Sequence, residues 1–356
     1  GVVELDPSNP NTVWVGSGEN NAQRSVGYGD GVYKSLDGGK SWQHMGLKNS
    51  GHISMIRFHP GDSDTIYVAA QGPLWSPGGD RGLYRSTDGG GNWQRILEID
   101  ENTGINEFVI DEANPDVIVA SSSQRRRHVW TLINGGPQSG IHKTMDGGKT
   151  WRKLAGGLPE GELGRIGLAE APSAPGMIYA IIEADDEDKG VYRSTDYGES
   201  WEKRSDHVTS SPQYYNELYV DPGNSERVYS VDTFTHVSED GGESWNRISF
   251  KNRHVDDHAL WIDPDDTSHL YIGGDGGVYE SFDRGQVWRH VRNLPVTQFY
   301  RSTPDNDFPF YNVCAGTQDN FTLCGPSRNT YTDGITNVDW WIAQFGDGFK
   351  AQIDPT

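Results

Sequence analysis

Six copies of one eight-residue motif constrain what this 356-residue chain can fold into more than any other feature. The motif reads Ser35-Leu-Asp37-Gly-Gly39-Lys-Ser-Trp42, and its Asp returns as Asp88, Asp146, Asp196, Asp240 and Asp283. Hydroxyl, Asp, Gly and Trp keep the same offsets in all six copies. Such a motif is a hairpin turn. The Asp carboxylate can accept hydrogen bonds from backbone N–H groups a few residues on. Gly permits the left-handed backbone that the turn requires. Trp opens the returning strand and offers a large aromatic surface for burial. The six aspartates are therefore read as turn-holders, not catalysts.

Each motif sits inside a larger unit. An alternating stretch such as Ile53–Phe58 precedes it and ends at the turn His59-Pro60. A second apolar stretch, Thr65–Ala69, follows, then Gly82–Ser86, the Asp turn, and a last strand from Trp93. The first turn returns at Asp6-Pro7, Asp111-Glu112, Ala171-Pro172, Asp221-Pro222, Asp263-Pro264, Thr303-Pro304 and Asp354-Pro355. Four strands in a period of roughly 40 to 55 residues describe a propeller blade. The expectation is an all-β propeller of four-stranded antiparallel blades, about seven of them, without helices. The propeller is expected over 1–343, with 344–356 as the first strand of a following blade. The seventh unit lacks the Asp turn. Because an open ring leaves a bare sheet edge, the chain is read as a fragment of a longer multi-propeller protein.

The formal charge is −21. A surface of that sign repels nucleic acid and anionic membrane, so neither is expected as a partner. No apolar run approaches the roughly 20 residues that span a bilayer. No phosphate-loop, nucleotide or Ser–His–Asp signature occurs, and no cofactor is expected.

The six motifs resemble the Asp-box, or BNR, repeat. Such repeats occur in sialidases, two-propeller xyloglucan-active glycoside hydrolases, a photosystem II assembly factor and the sortilin ectodomain. The segments Gly16–Asn21, Gly316–Asn320, Gly325–Ser327 and Gly346–Gly348 are most similar to bacterial sortilin-N-terminal-like proteins, often labelled glycosyl hydrolases. That resemblance implies a secreted, periplasmic or cell-surface protein with more propeller on either side.

The Asp turns lie on one edge of such blades; the remaining long loops collect on the opposite face. There the candidate ligand-binding residues are Glu19, Asn20, Arg24, Trp75, Arg125, Arg127 and Trp130, with the Ser121–Gly140 loop foremost. Trp130 and Arg127 suit stacking or anion binding. Glu19 and Asp30 are candidate catalytic carboxylates, with Asp256 and Asp275 as further members of a pair. Xyloglucanase-like enzymes place one acid in each of two propellers, and Asp30 lies near the first position. Sialidase chemistry is disfavoured: it draws arginines from different blades, whereas these cluster in one loop, and the usual Arg-Ile-Pro segment is missing. If extended, His254, Asp256 and His258 would share a face and could hold a cation; a hydrogen-bonded blade junction is the preferred reading, and no firm metal site is expected.

Cys314 and Cys324 flank the turn between the second and third strands of the seventh unit. Hairpin neighbours come within disulfide reach, about 5.5 Å between Cα atoms. The pairing would imply an oxidising compartment. The functional expectation is a non-catalytic propeller binding a protein, peptide or glycan through its long-loop face. The alternative is a glycoside hydrolase whose cleft a second propeller, or missing blades of the parent chain, completes.

Overall fold

The computed structural model describes residues 1–21, 26–294 and 296–354. The chain divides into two compact units, Gly1–Ile248 with Ile262–Thr267, and Ser249–Trp261 with Ser268–Thr356. Among the described residues there are seven antiparallel sheets; six have four strands threaded in chain order, and the third carries a fifth, short strand paired with its second. These are the expected blades of a β-propeller.

The first unit holds five blades, which begin at the strands Val2–Asp6, Ile53–His59, Thr103–Ile110, Ile166–Glu170 and Glu217–Asp221. These first strands neighbour one another in sequence order. Apolar side chains fill the space between successive sheets. Trp14, Ile53, Ile66 and Tyr84 pack blade 1 on blade 2, and Ile105, Phe108, Leu83 and Ile118 pack blade 2 on blade 3. Similar layers join blades 3 and 4 and blades 4 and 5. The core is thus a series of inter-sheet layers rather than one centre.

The turn motif behaves as its chemistry requires. In blade 1 Ser35 Oγ donates to Asp37 Oδ1 at 2.8 Å, and Ser35 Oγ accepts from Gly39 N–H at 2.8 Å. Asp37 also accepts from Ser41 N–H at 2.9 Å and Ser41 Oγ at 2.6 Å. Gly38 and Gly39 have φ of 70° and 88°, the region that favours glycine. The hydroxyl-to-Asp bond recurs at 2.7–2.8 Å in the other five copies. These bonds, from the Ser41 hydroxyl foremost, hold the Asp37 carboxyl down at about 2. The motif tryptophans reach back: Trp93 Nε1 donates to Met45 O at 2.7 Å, and Trp288 Nε1 to Ser249 O at 2.8 Å. Trp42 is the departure, at 44% exposed rather than buried.

Two further expectations need correction. The Ser121–Gly140 segment is not a plain loop. The second strand of blade 3 runs on to His128 and turns into a short strand, Thr131–Asn134, with Arg127 opposite Leu132. A 3-10 turn, Asn337–Asp339, stands where no helix was expected, inside the last connection of blade 7.

The second unit holds blades 6 and 7, beginning at Asp257–Ile262 and Arg301–Pro304. Cys314 and Cys324 sit directly opposite in adjacent strands and form a disulfide. Their Cα atoms are 4.1 Å apart, nearer the close non-hydrogen-bonded pairing than the wider one expected. The final strand is Trp341–Gln344, and residues 345–354 form no strand.

Candidate functional site

The loop face of the first unit gathers most of the candidate residues. The Arg127 N–H donates to Leu74 O at 2.9 Å, which ties the blade-3 hairpin to the loop after the second strand of blade 2. That tie places the Arg127 guanidinium over the Trp75 ring, 5.7 Å from its centroid. At the hairpin tip Trp130 stacks on His128, with centroids 5.3 Å apart and planes 11° off parallel. Trp75 is 42% and Trp130 81% exposed. Tyr28 is exposed as well, and its ring lies 5.6 Å from the buried His52 ring. Three open aromatic rings, each beside a neighbouring ring or guanidinium, thus stand on connections of blades 1, 2 and 3.

Beneath this shelf lies a cavity lined by His52, Leu74, Arg81, Asn106, Arg125 and Arg165, among others. Its arginines are buried, and so is His52. Arg165 pairs with Glu217 at 2.8 Å. Arg81 donates to the carbonyls of Gln71, Pro73 and Ser76. Burial, with Arg165 nearby, lowers the Arg125 guanidinium to about 9, so it stays charged at neutral pH. Burial also lowers His52 to about 4, with Arg125 adding to the effect, so its ring is neutral. On the adjacent inner strand Glu107 accepts from Leu168 N–H at 2.5 Å. Burial, with Glu217 adding, raises its carboxyl to about 8, so it is protonated and adds no charge near neutral pH.

The candidate carboxylates are differently placed. Asp30 is exposed, accepts from Tyr33 Oη at 2.7 Å and faces Ser17 Oγ at 3.5 Å. The tyrosine bond foremost lowers its pKa, so Asp30 is ionised and fitted to act as base or nucleophile rather than as proton donor. Glu19 Oε2 accepts from Gly27 N–H at 2.7 Å, which closes the loop around it. Asn20 Oδ1 accepts from the Gly1 amine at 3.3 Å. Arg24 lies outside the described residues.

The second unit separates the His254 group. Asp256 has φ of 65°, so the strand alternation that would align the three side chains is broken; the strand begins only at Asp257. His254 Nδ1 meets the Val255 carbonyl at 2.6 Å, whereas His258 Nε2 meets Asp275 Oδ1 at 3.2 Å. No group of three metal-ligating side chains is assembled among the described residues. The group thus forms the preferred hydrogen-bonded junction rather than a cation face. In that junction Asp319 is raised to about 6 by burial and by its hydrogen bond to Asp275, and Asp347 accepts from Asp319 N–H at 3.0 Å. Hydrogen-bonded carboxyls stand closer than the roughly 5 Å that a glycosidase pair needs, so this pair braces the junction rather than flanking a sugar bond.

Sequence reasoning singled out Arg125 but not His52, Arg81, Asn106 or Arg165. Arg81 and Arg165 each stand just before a strand, at Gly82 and Ile166, and that position is the only signal the sequence carries for them.

Comparisons with known proteins agree with this architecture. Residues 30–158 match the family described as sortilin, neurotensin receptor 3. Xyloglucanase Xgh74A of Acetivibrio thermocellus is 22% identical over 333 residues, 83% of this chain and 36% of its own length. A probable oligoxyloglucan-reducing end-specific xyloglucanase of Neosartorya fischeri is 25% identical over 253 residues, 65% of this chain and 28% of its own length. The chain thus spans about a third of the curated relatives it matches. Among solved structures, an ancestral GH74 enzyme superposes with a TM-score of 0.59 at 16% identity, covering 95% of this chain and 45% of that one. YCF48 from Cyanidioschyzon merolae superposes with a TM-score of 0.54 at 15% identity, covering 88% and 91%. No helix among the described residues is long and apolar enough to cross a membrane. The chain is a β-propeller of Asp-box blades, similar over most of its length to part of the xyloglucanases and over residues 30–158 to sortilin.

Proposed function

We propose that this chain is one propeller of an exported, glycan-active protein of the xyloglucanase kind. It binds a neutral glucan across its long-loop face and presents Asp30 to a cleft that a second propeller completes. The observation that carries this reading is the exposed aromatic shelf of Trp75, Trp130 and Tyr28. Sugar rings present flat C–H faces that stack on open aromatic rings, and a held ring costs little further ordering when it binds. Asp30 suits the base or nucleophile of such a cleft, so the proton donor would come from another carboxyl.

The test titrates xyloglucan oligosaccharides into the chain and its Trp75→Ala and Trp130→Ala variants by calorimetry. Binding is expected, weakened about 5- to 10-fold by each variant, in line with roughly 1 kcal/mol per aromatic contact. Unchanged affinity in both variants would remove the shelf from the account. Hydrolysis by the full parent protein, lost in Asp30→Asn, would assign the carboxylate. Binding without hydrolysis would leave a non-catalytic glycan module.

A further inference from the structure

Asp30 is exposed, yet its place is fixed from several sides. It stands between Gly29 and Gly31 in the connection from the second to the third strand of blade 1. Neither glycine leaves room for a side chain. A Cβ on Gly29 would run into the Ser17 carbonyl carbon, and one on Gly31, whose φ is 117°, into Gly46 O. Ser17 Oγ accepts from the Asp30 and Gly31 N–H groups at 2.9 and 3.1 Å. The Asp30 carbonyl meets His44 Nε2 at 2.7 Å, and a carbonyl can only accept, so that nitrogen carries the proton. His44 Nδ1 accepts from Gly46 N–H at 3.2 Å, which engages the other side of the ring. Tyr33 and His44 face one another in adjacent strands, and their rings meet edge to face with centroids 5.0 Å apart. The Tyr33 hydroxyl then donates to Asp30 Oδ1 at 2.7 Å. Among the described residues no neighbouring side chain donates to Asp30 Oδ2.

We propose that Tyr33 and His44 are positioning residues that tie back Oδ1 of Asp30 and present Oδ2 as the reacting oxygen of the cleft. The inference rests on the glycan-hydrolysis reading above and names the groups that prepare its carboxylate. A carboxylate on a loop reacts faster when its geometry is set before the substrate arrives. A phenol bonded to one oxygen sets that geometry, and it also favours the charged form. Tyr33, His44 and Ser17 are the groups that face Asp30. His44 acts on the backbone carbonyl and Ser17 chiefly on the backbone N–H, so Tyr33 is the one that holds the carboxylate itself.

The test follows xyloglucan hydrolysis by the full parent protein across pH, in wild type and Tyr33→Phe. The variant loses one hydroxyl and keeps its ring against His44. Its kcat should fall about tenfold or more with KM nearly unchanged, the scale for a small misplacement of a reacting group. The acidic limb of kcat/KM should move to higher pH, because Asp30 loses the bond that most favours its charged form. A lower melting temperature with the acidic limb unmoved would make Tyr33 a brace of the turn and overturn the proposal. His44→Gln keeps an N–H donor for the Asp30 carbonyl and should retain more activity than His44→Leu; equal activity in the two would remove His44 from the assignment. Hydrolysis that depends on Asp30 but keeps its pH profile in Tyr33→Phe would sink this inference alone. No hydrolysis by the wild-type parent, or hydrolysis that survives Asp30→Asn, would sink the catalytic reading and this inference with it.

Discussion

The Asp-box edge and the loop face of the first unit are built from the same strands and follow opposite rules. On the edge, the hydroxyl and the Asp of each turn hydrogen-bond to one another within the motif, and that geometry repeats with distances that scarcely vary. On the loop face nothing repeats. Arg81, Arg125 and Arg165 come from three different blades to one cavity, and Arg127 and Trp130 stand on a hairpin that, among the described residues, only blade 3 carries. The difference separates scaffold from site: local, self-satisfied chemistry builds the blades, and unrepeated, long-range convergence makes the surface able to bind.

Trp201 is buried in the layer between blades 3 and 4. Trp201→Ala should cost about 3–5 kcal/mol by leaving a cavity. Protein that stays folded should bind glycan as the wild type does. A binding loss without a fall in denaturation midpoint would show that the scaffold layers belong to the site.

The second, smaller effect concerns blade 7, which lacks the turn motif and has the disulfide instead. Replacing Cys314 and Cys324 together by Ser should lower stability by about 2–3 kcal/mol, the scale for a short closed loop. Chemical denaturation of the oxidised protein and the double variant measures it. No change would mean that the bridge braces nothing.

The smallest effect is a contrast in pH dependence. The Asp37, Asp88, Asp146 and Asp240 carboxyls are held down at about 2 by their turn hydrogen bonds. Depressed carboxyls contribute stability above their unfolded value near 4, and that contribution fades as pH falls from about 4 to 2. Glu107 is the opposite case, raised to about 8 by burial. Its unfolded form ionises near 4 and its folded form only near 8, so wild-type stability falls as pH rises through that window. Glu107→Gln removes this term and keeps an acceptor for Leu168 N–H. Its melting temperature relative to wild type should therefore climb from pH 5 to pH 8. A constant difference would show that Glu107 is already ionised in the folded protein.

The same contrast explains what could be read in the sequence. The six aspartates, the blade strands and the cysteine pair were legible because each is decided within a few dozen residues. The strand Gly82–Ser86 falls where the pattern placed it. The lesser reading of the His254 group, a cation face, fails because alternation assumes an extended backbone, and Asp256 turns left-handed just before its strand begins. Arg125 was taken for a loop residue, whereas its strand runs on past it and buries it against the next blade. Arg81 and Arg165 carry no local pattern, because their meaning appears only when three blades converge.

The most direct measurement is a crystal structure of this chain soaked with a xyloglucan oligosaccharide. The account predicts sugar rings stacked on Trp75 and Trp130, on the face opposite the Asp-box turns. Sugar bound along the turns themselves, with the shelf empty, would contradict it.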